Sequence, residues 1–306
     1  MSISQIPLNA QWQQQVLSWE YGAAASPRIP GVPIEFFPAQ LHETGATGVI
    51  ELDLSKHLGT RYPATTPSLL ANYVHLLPHQ NLRVHAQSSS EVYFVMRGEG
   101  WTETAEGILE WKQGDVFTLP TNNGVTHTSR ADAALYWVHD APLLNYLGVQ
   151  PTIPCFQPAY YSSEYLNGEI AKIREAGILE NRNRNGIILG NPASDATRTM
   201  THCMWSLYNV LPAHSVQKPH RHNSVAVDLA VSAGPNTYTL IGERIDAEGN
   251  IINPVRAEWN PHSVFVTPPG WWHSHHNESD QDAYVFPVQD AGLQTYLRTL
   301  DIQFIR

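Results

Sequence analysis

The sequence predicts an all-β chain of two tandem barrels behind an N-terminal arm. Three observations lead there. Short apolar runs of four to eight residues, separated by Gly, Asn and Asp, recur through residues 61–150. The same pattern returns through residues 196–306, so the chain reads as a degenerate internal repeat. The composition agrees: 22 Pro and 20 Gly, with 15% charged and 10% aromatic residues, describe a β-rich globular protein and exclude a disordered or fibrous one. At 306 residues there is length for two domains of ordinary size.

Residues 1–60 form the arm. Trp12, Val16 and Trp19 recur at helical spacing, which predicts a short helix over Gln11–Tyr21. Pro27, Pro30, Pro33 and Pro38 then forbid regular helix and favour an extended wrap, with Ile34, Phe36 and Phe37 packing on something. Residues 61–150 form the first barrel, with strands over Leu82–His85, Val92–Met96, Ile108–Trp111, Val116–Leu119 and Leu135–Val138. Arg83 shares the parity of His85 and is expected to face inward and pair with Glu91.

Residues 151–195 are a linker. A helix is expected within Tyr160–Glu180, where Leu166, Ile170, Ile173 and Ile178 fall near helical spacing and Gly177 stands near the end. The following Asn181–Gly186 is a polar turn whose Arg182 and Arg184 read as solvated surface. Residues 196–306 form the second barrel, with strands over Met204–Leu211, Val225–Val231, Thr237–Ile241, Ser263–Thr267 and Ala283–Val288, and a hairpin turn at Asp246–Asn250.

Composition also narrows the partners. A formal net charge of -10 makes nucleic acid and anionic membrane poor partners, and no helix-turn-helix pattern or basic cluster is present. No apolar run reaches the roughly eighteen residues of a membrane span. The start, Met1-Ser2-Ile3-Ser4-Gln5, lacks the basic region and apolar core of a signal peptide. Cys155 and Cys203 make no disulfide framework. A soluble cytoplasmic protein is the expectation.

The chemistry concentrates in two stretches of the second barrel. His220 and His222 are two residues apart, so on a strand they share a face. About fifty residues later comes P-x-G-x-x-H-x-x-x-N, read as Pro268, Gly270, His273 and Asn277. Three neutral imidazoles suffice to hold Fe, Mn, Zn, Ni or Cu with coordination positions left open. The constellation resembles the cupin superfamily, which implies the double-stranded β-helix, or jelly roll, for each barrel.

In the first barrel, Glu91–Gly100 resembles the family's first motif, with His85, Glu91 and Gly98 at family spacing. Gln87 stands where the second His belongs, and His127 lies two residues too far from Pro120. That barrel is read as a scaffold without a catalytic metal.

Strand parity carries the second barrel further. If His220 and His222 face inward, so should Lys218, Ser224, Ala226 and Asp228, the small Ser224 and Ala226 leaving room beside the metal. The family's usual glutamate ligand falls at Val227, counted back from Gly234, so no carboxylate completes the set. Three neutral ligands leave the whole 2+ charge to attract a chelating anion.

At this point the chain resembles the gentisate, salicylate and 1-hydroxy-2-naphthoate dioxygenases, bicupins with an N-terminal arm, over most of residues 60–306. The resemblance implies Fe(II) held by His220, His222 and His273, a small aromatic acid chelated through hydroxyl and carboxylate, and O2 inserted with ring opening between those carbons. It also implies a homo-oligomer, dimer or tetramer. The best-known members carry their metal in the first barrel, so their substrate contacts do not transfer. Fe(II) is preferred because O2 chemistry needs a redox metal; spacing alone leaves Mn, Ni and Zn open.

Other residues are candidates for subsidiary roles. His275 shares the parity of His273 and is placed to orient substrate or act as acid and base. Trp272 either walls the pocket or packs as core. Lys218 or Arg244 pairs the substrate carboxylate unless solvated, and Asp228 is expected to hold a ligand His in its tautomer. His276 reads as surface and His214 as a strand end. A non-redox lyase, isomerase or hydrolase acting on a small carboxylate, and a ligand-binding cupin, are the alternative functions.

Overall fold

The computed structural model describes residues 8–25, 28–177 and 184–305. The chain divides into two units, residues 1–30 and 31–306. The first contains two short helices, Leu8–Gln13 and Tyr21–Ala24, not one over Gln11–Tyr21. The break has a local cause. Glu20 is extended, and its Oε2 accepts from the backbone N–H groups of Gly22 (2.8 Å) and Ala23 (3.2 Å), which starts a new helix at that point.

The second unit holds the strands. In chain order they are β1 (Phe36–Phe37), β2 (Gly48–Glu51), β3 (Leu70–Leu76), β4 (Asn81–Val84), β5 (Ser90–Arg97), β6 (Glu99–Thr104) and β7 (Gly107–Lys112). There follow β8 (Val116–Pro120), β9 (Val125–Ser129), β10 (Ala133–His139), β11 (Ala159–Tyr161), β12 (Gly186–Ile188), β13 (Trp205–Leu211) and β14 (Ser215–His222). The last are β15 (Ala226–Ser232), β16 (Thr237–Gly242), β17 (Val255–Glu258), β18 (Val264–Thr267), β19 (Trp272–Asn277), β20 (Ala283–Gln289) and β21 (Ile302–Phe304).

The repeat expected from the sequence is a repeat of topology. One six-stranded sheet has the order β11-β8-β5-β10-β3-β2, the other β1-β18-β15-β20-β13-β12. Strands β3, β5, β8 and β10 thus correspond to β13, β15, β18 and β20. The smaller sheets, β4-β9-β6-β7 and β17-β16-β19-β14-β21, close each barrel. This is the all-β double jelly roll expected. Segments of the arm join as strands: β1 pairs with β18, and β2 with β3.

Between the two large sheets lies a shared core including Phe94, Tyr136, Val227 and Phe286, with Phe94 and Phe286 ring centroids 5.1 Å apart. The Tyr136 hydroxyl donates to the Val227 carbonyl across the seam at 3.2 Å. Burial of this apolar surface is what joins the barrels.

The linker helix runs from Ser163 to Glu175, capped by Ser162 Oγ accepting from Tyr165 N–H at 3.1 Å, with Leu166 and Ile170 buried. Ile178 and Arg182 lie outside the described residues. Among the described residues no helix is long and apolar enough to cross a membrane.

A candidate metal centre and its cavity

β14 and β19 run antiparallel with His220 opposite His273. Ring centroids are 4.0 Å apart for His220 and His273, 4.9 Å for His222 and His273, and 5.4 Å for His220 and His222. One ligand nitrogen from each lies within 4.8 Å of the other two, and all three side chains are buried. The turn into β19 ties the group together. Gly270 has φ +79°, a conformation that disfavours any side chain, and its N–H donates to the His222 carbonyl at 2.7 Å.

Two of the rings, His222 and His273, are oriented for a cation by backbone carbonyls. His222 Nδ1 lies 2.8 Å from the Ser224 carbonyl and His273 Nδ1 lies 3.1 Å from the Trp271 carbonyl. Each Nδ1–H donates to its carbonyl, which leaves Nε2 with a lone pair. His222 Nε2 is buried without a hydrogen-bond partner among the described residues. Such an orphan costs about 1–3 kcal/mol unless something occupies it.

Burial drives His222 down to about 4, and drives His220 and His273 well below the usual imidazole value. All three are therefore neutral at pH 7, the state a metal ligand requires. Three neutral nitrogens fit a divalent transition metal, and the residues present suit the group the motif implies.

Beside the imidazoles is a cavity of about 200 Å³. Its apolar walls include Ile188, Trp205, Leu207, Ile302 and Phe304, and its polar lining includes Arg184, Asn209, Asp228, His275 and Gln289. Phe304, from the C-terminal strand β21, stacks on His220 with planes 10° from parallel. Arg184, half-buried, donates to the Lys218 carbonyl, and its guanidinium also lies against His220 Nδ1. Burial lowers Arg184 to about 9, so it remains a cation at pH 7. Asp228 is raised to about 7 by burial, partly offset by the Thr267 hydroxyl that donates to Oδ2 at 2.7 Å and by Arg184.

The expected site residues divide. His275 is buried, lines the cavity and bonds Thr239 Oγ1 through Nδ1 at 2.8 Å. Asp228 faces the cavity, but the tautomers of His222 and His273 are held by backbone carbonyls and not by Asp228. Lys218 is exposed, against the parity expectation. A bulge between Gln217 and His220 resets the alternation, so Gln217 and His220 both face inward and Lys218 faces solvent.

Trp272 does not line the cavity; its ring carries the Arg221 guanidinium at 5.5 Å. Arg244 is exposed and outside the cavity, His276 stacks on Tyr238 at 4.8 Å, and His214 pairs with Asp280. Arg184, read from the sequence as surface, is instead part of the site. Nothing local marks it: its position follows from the pairing of β12 with β13 two residues later. Ile302 and Phe304 had a weak signal, apolar residues at period two.

The first barrel is built differently. Arg83, His85 and Gln87 are exposed, and Arg83 donates to the Asn123 carbonyl, not to Glu91. Glu91 is buried and accepts from Ser88, Tyr93, Asn122 and Trp137. His127 is buried against Tyr93, which stacks between Phe117 (4.6 Å) and Trp137 (5.7 Å). Aromatic rings fill the interior that the second barrel leaves to histidines and cavity. Val227 lies in the shared core and not on the cavity.

No protein-family model matches the chain. In sequence it is 34% identical over 86 residues to a 5-aminosalicylate 1,2-dioxygenase of Comamonas sp, and 32% identical over 59 residues to a gentisate 1,2-dioxygenase of Haloferax sp. These stretches cover 28% and 19% of the chain and span only 23% and 16% of the relatives' lengths.

The fold is similar to that of the salicylate 1,2-dioxygenase of Pseudaminobacter salicylatoxidans, with TM-score 0.71 at 15% identity over 99% of this chain and 94% of that one. A gentisate adduct of salicylate 1,2-dioxygenase from Pseudoaminobacter salicylatoxidans gives TM-score 0.74 at 13% identity, covering 99% and 96%. A deletion mutant of Bacillus subtilis oxalate decarboxylase gives TM-score 0.54 at 12% identity over 86% and 78%. At such identities the structural likeness speaks for the fold alone, a bicupin. The sequence likeness bears out the resemblance to gentisate and salicylate dioxygenases read from the motifs.

Proposed function

We propose that this bicupin is an Fe(II)-dependent dioxygenase that opens the ring of a hydroxylated aromatic carboxylic acid of the gentisate or salicylate kind. One observation carries the reading: three buried neutral imidazoles end in an apolar cavity that also holds a guanidinium. His220, His222 and His273 would hold the iron. Bound ferrous iron supplies the one-electron chemistry that lets O2 react with a closed-shell ring.

The chain's own residues do the rest. Arg184 pairs the substrate carboxylate, a task for which its forked donors suit it. Ile188, Trp205, Leu207 and Phe304 enclose the ring and exclude water. Asp228, poised near neutrality, holds or accepts the proton of the substrate hydroxyl, and His275, fixed by Thr239, positions the substrate. In the balanced reaction the bond between the hydroxyl-bearing and carboxyl-bearing carbons breaks, and both atoms of O2 enter the product. The reading includes a cytoplasmic homo-oligomer, dimer or tetramer, for which the exposed Tyr146, Leu147, Tyr296 and Leu297 offer apolar surface.

Oxygen uptake tests it. Protein loaded with Fe(II) should consume O2 with gentisate, salicylate or 1-hydroxy-2-naphthoate, and protein loaded with Zn(II) should not. Asp228, raised to about 7 beside the histidines, favours one second reading: proton-transfer chemistry on a small carboxylate, as in a lyase, isomerase or hydrolase. Turnover sustained by Zn(II) without O2 would select that reading and eliminate the first.

A further inference from the structure

A second group of metal-type donors lies at the seam of the two barrels, away from the cavity. Asp140 follows β10 of the first barrel, and His202 and Cys203 precede β13 of the second. One ligand atom from each lies within 4.8 Å of the others. Cys203 Sγ donates to Asp140 Oδ2 at 3.2 Å, and Ser89 Oγ touches both Asp140 Oδ2 and His202 Nε2. His202 Nδ1 is buried with no hydrogen-bond partner among the described residues.

The internal repeat supplies a control. Thr66-Pro67-Ser68-Leu69 precedes β3 as Thr201-His202-Cys203-Met204 precedes β13. The turns match bond for bond. Leu69 N–H donates to Thr66 Oγ1 at 2.9 Å and Met204 N–H to Thr201 Oγ1 at 3.0 Å, while Thr66 N–H donates to the Leu69 carbonyl at 2.9 Å and Thr201 N–H to the Met204 carbonyl at 3.1 Å. Ser68 Oγ reaches across the seam to Asp290 Oδ2 at 2.8 Å, as Cys203 reaches Asp140. A proline and a serine are therefore enough to build and bond this turn. At the other copy the same two positions carry an imidazole and a thiol.

We propose that Asp140, His202 and Cys203 bind a divalent thiophilic cation, Zn²⁺ above all, which staples the first barrel to the second. The donor set of carboxylate, imidazole and thiolate is one that zinc accepts, with a water free to fill the fourth position. The spacing is right. Zn–O of about 2.0–2.2 Å and Zn–S of about 2.3 Å at a tetrahedral angle put the two atoms roughly 3.5 Å apart, close to the 3.2 Å found. On binding, the Cys203 S–H bond breaks, an S–Zn bond forms and the proton leaves to solvent, so affinity rises with pH. Together, carboxylate and thiolate cancel the 2+ charge.

Cobalt reads the site separately from the histidine centre, whose three ligands offer only nitrogen. Full-length protein stripped by chelator and titrated with Co²⁺ should bind two ions per chain, and one of them should show near-ultraviolet thiolate-to-cobalt charge transfer. Zn²⁺ should bleach that absorption. Cys203→Ser should lose it and one bound ion while keeping the fold, since serine serves at the other seam. Cys155→Ser should keep it. Wild-type protein that shows no thiolate absorption at saturating Co²⁺ overturns the site whatever the variants do, and so does absorption that survives Cys203→Ser.

Discussion

His222 Nδ1 lies 2.8 Å from the carbonyl oxygen of Ser224, two residues along the same chain. That contact fixes the ring's tautomer and aims a bare, buried Nε2 at His220 and His273. Removing the ring therefore removes a ligand without touching the backbone that orients the others. His222→Ala should lose nearly all bound ferrous iron, read by chelator titration in a Cys203→Ser background so that only the histidine centre is counted. Full iron occupancy in that variant would move the centre to the first barrel, around His85.

Arg184 separates substrate binding from metal binding. Its guanidinium lines the cavity but is no metal ligand. A hydrogen bond to a charged group is worth about 1.5–3 kcal/mol, so Arg184→Gln should raise KM for the aromatic acid roughly 10- to 100-fold. Because the guanidinium also lies against His220, KM is read at saturating Fe(II) with iron content measured alongside. Arg184→Lys should recover only part of the loss, because a point charge replaces a fork. An unchanged KM in Arg184→Gln would take the residue out of substrate recognition.

Much of the fold and centre was legible because it is written in local chemistry. His220-x-His222 and Gly270-x-x-His273 work through strand parity and a left-handed turn, both readable from spacing. The failures have non-local causes. Lys218 left the inward face because β14 bulges where it shifts register against β19. Arg184 entered the cavity because a strand that begins two residues later pairs with β13. The seam turn before β13 shows its meaning only beside its repeat before β3. No spacing in the sequence marks any of these, since each depends on which distant segment lies opposite.

Asn277, the last residue of the motif, is structural. Its amide donates to the carbonyls of Leu211 (3.0 Å), Pro212 (3.1 Å) and Gln281 (2.7 Å). Its oxygen accepts from Thr237 Oγ1, Ser279 N–H and Ser279 Oγ. Asn277→Ala strands several buried partners at once, at about 1–3 kcal/mol for each left unsatisfied. Thermal unfolding should show a fall of several degrees or loss of soluble protein, while surviving folded protein keeps its iron. A melting temperature equal to that of the wild type would contradict the network.

His127 makes the first barrel sensitive to acid. It is buried among Tyr93 and Phe117, its Nε2 has no partner, and burial lowers it from 6.5 to about 3. The unfolded chain then binds the proton more readily than the folded one. The stability this group contributes is complete above pH 6.5 and is lost as pH falls toward 3. Between pH 6.5 and 5 the loss is about 2 kcal/mol, at 1.36 kcal/mol per pH unit.

Glu91, raised to about 6 by burial, acts in the opposite sense between pH 4.5 and 6, but it is common to both chains in a comparison and cancels. His127→Phe keeps an aromatic ring against Tyr93 and leaves Thr102 Oγ1 without the ring nitrogen 2.8 Å away, a penalty that does not vary with pH. Denaturant unfolding should therefore show the stability difference between variant and wild type shifting by about 2 kcal/mol in the variant's favour from pH 7 to pH 5. An equal gap at both values would mean that His127 is protonated no less easily in the folded barrel than in the unfolded chain.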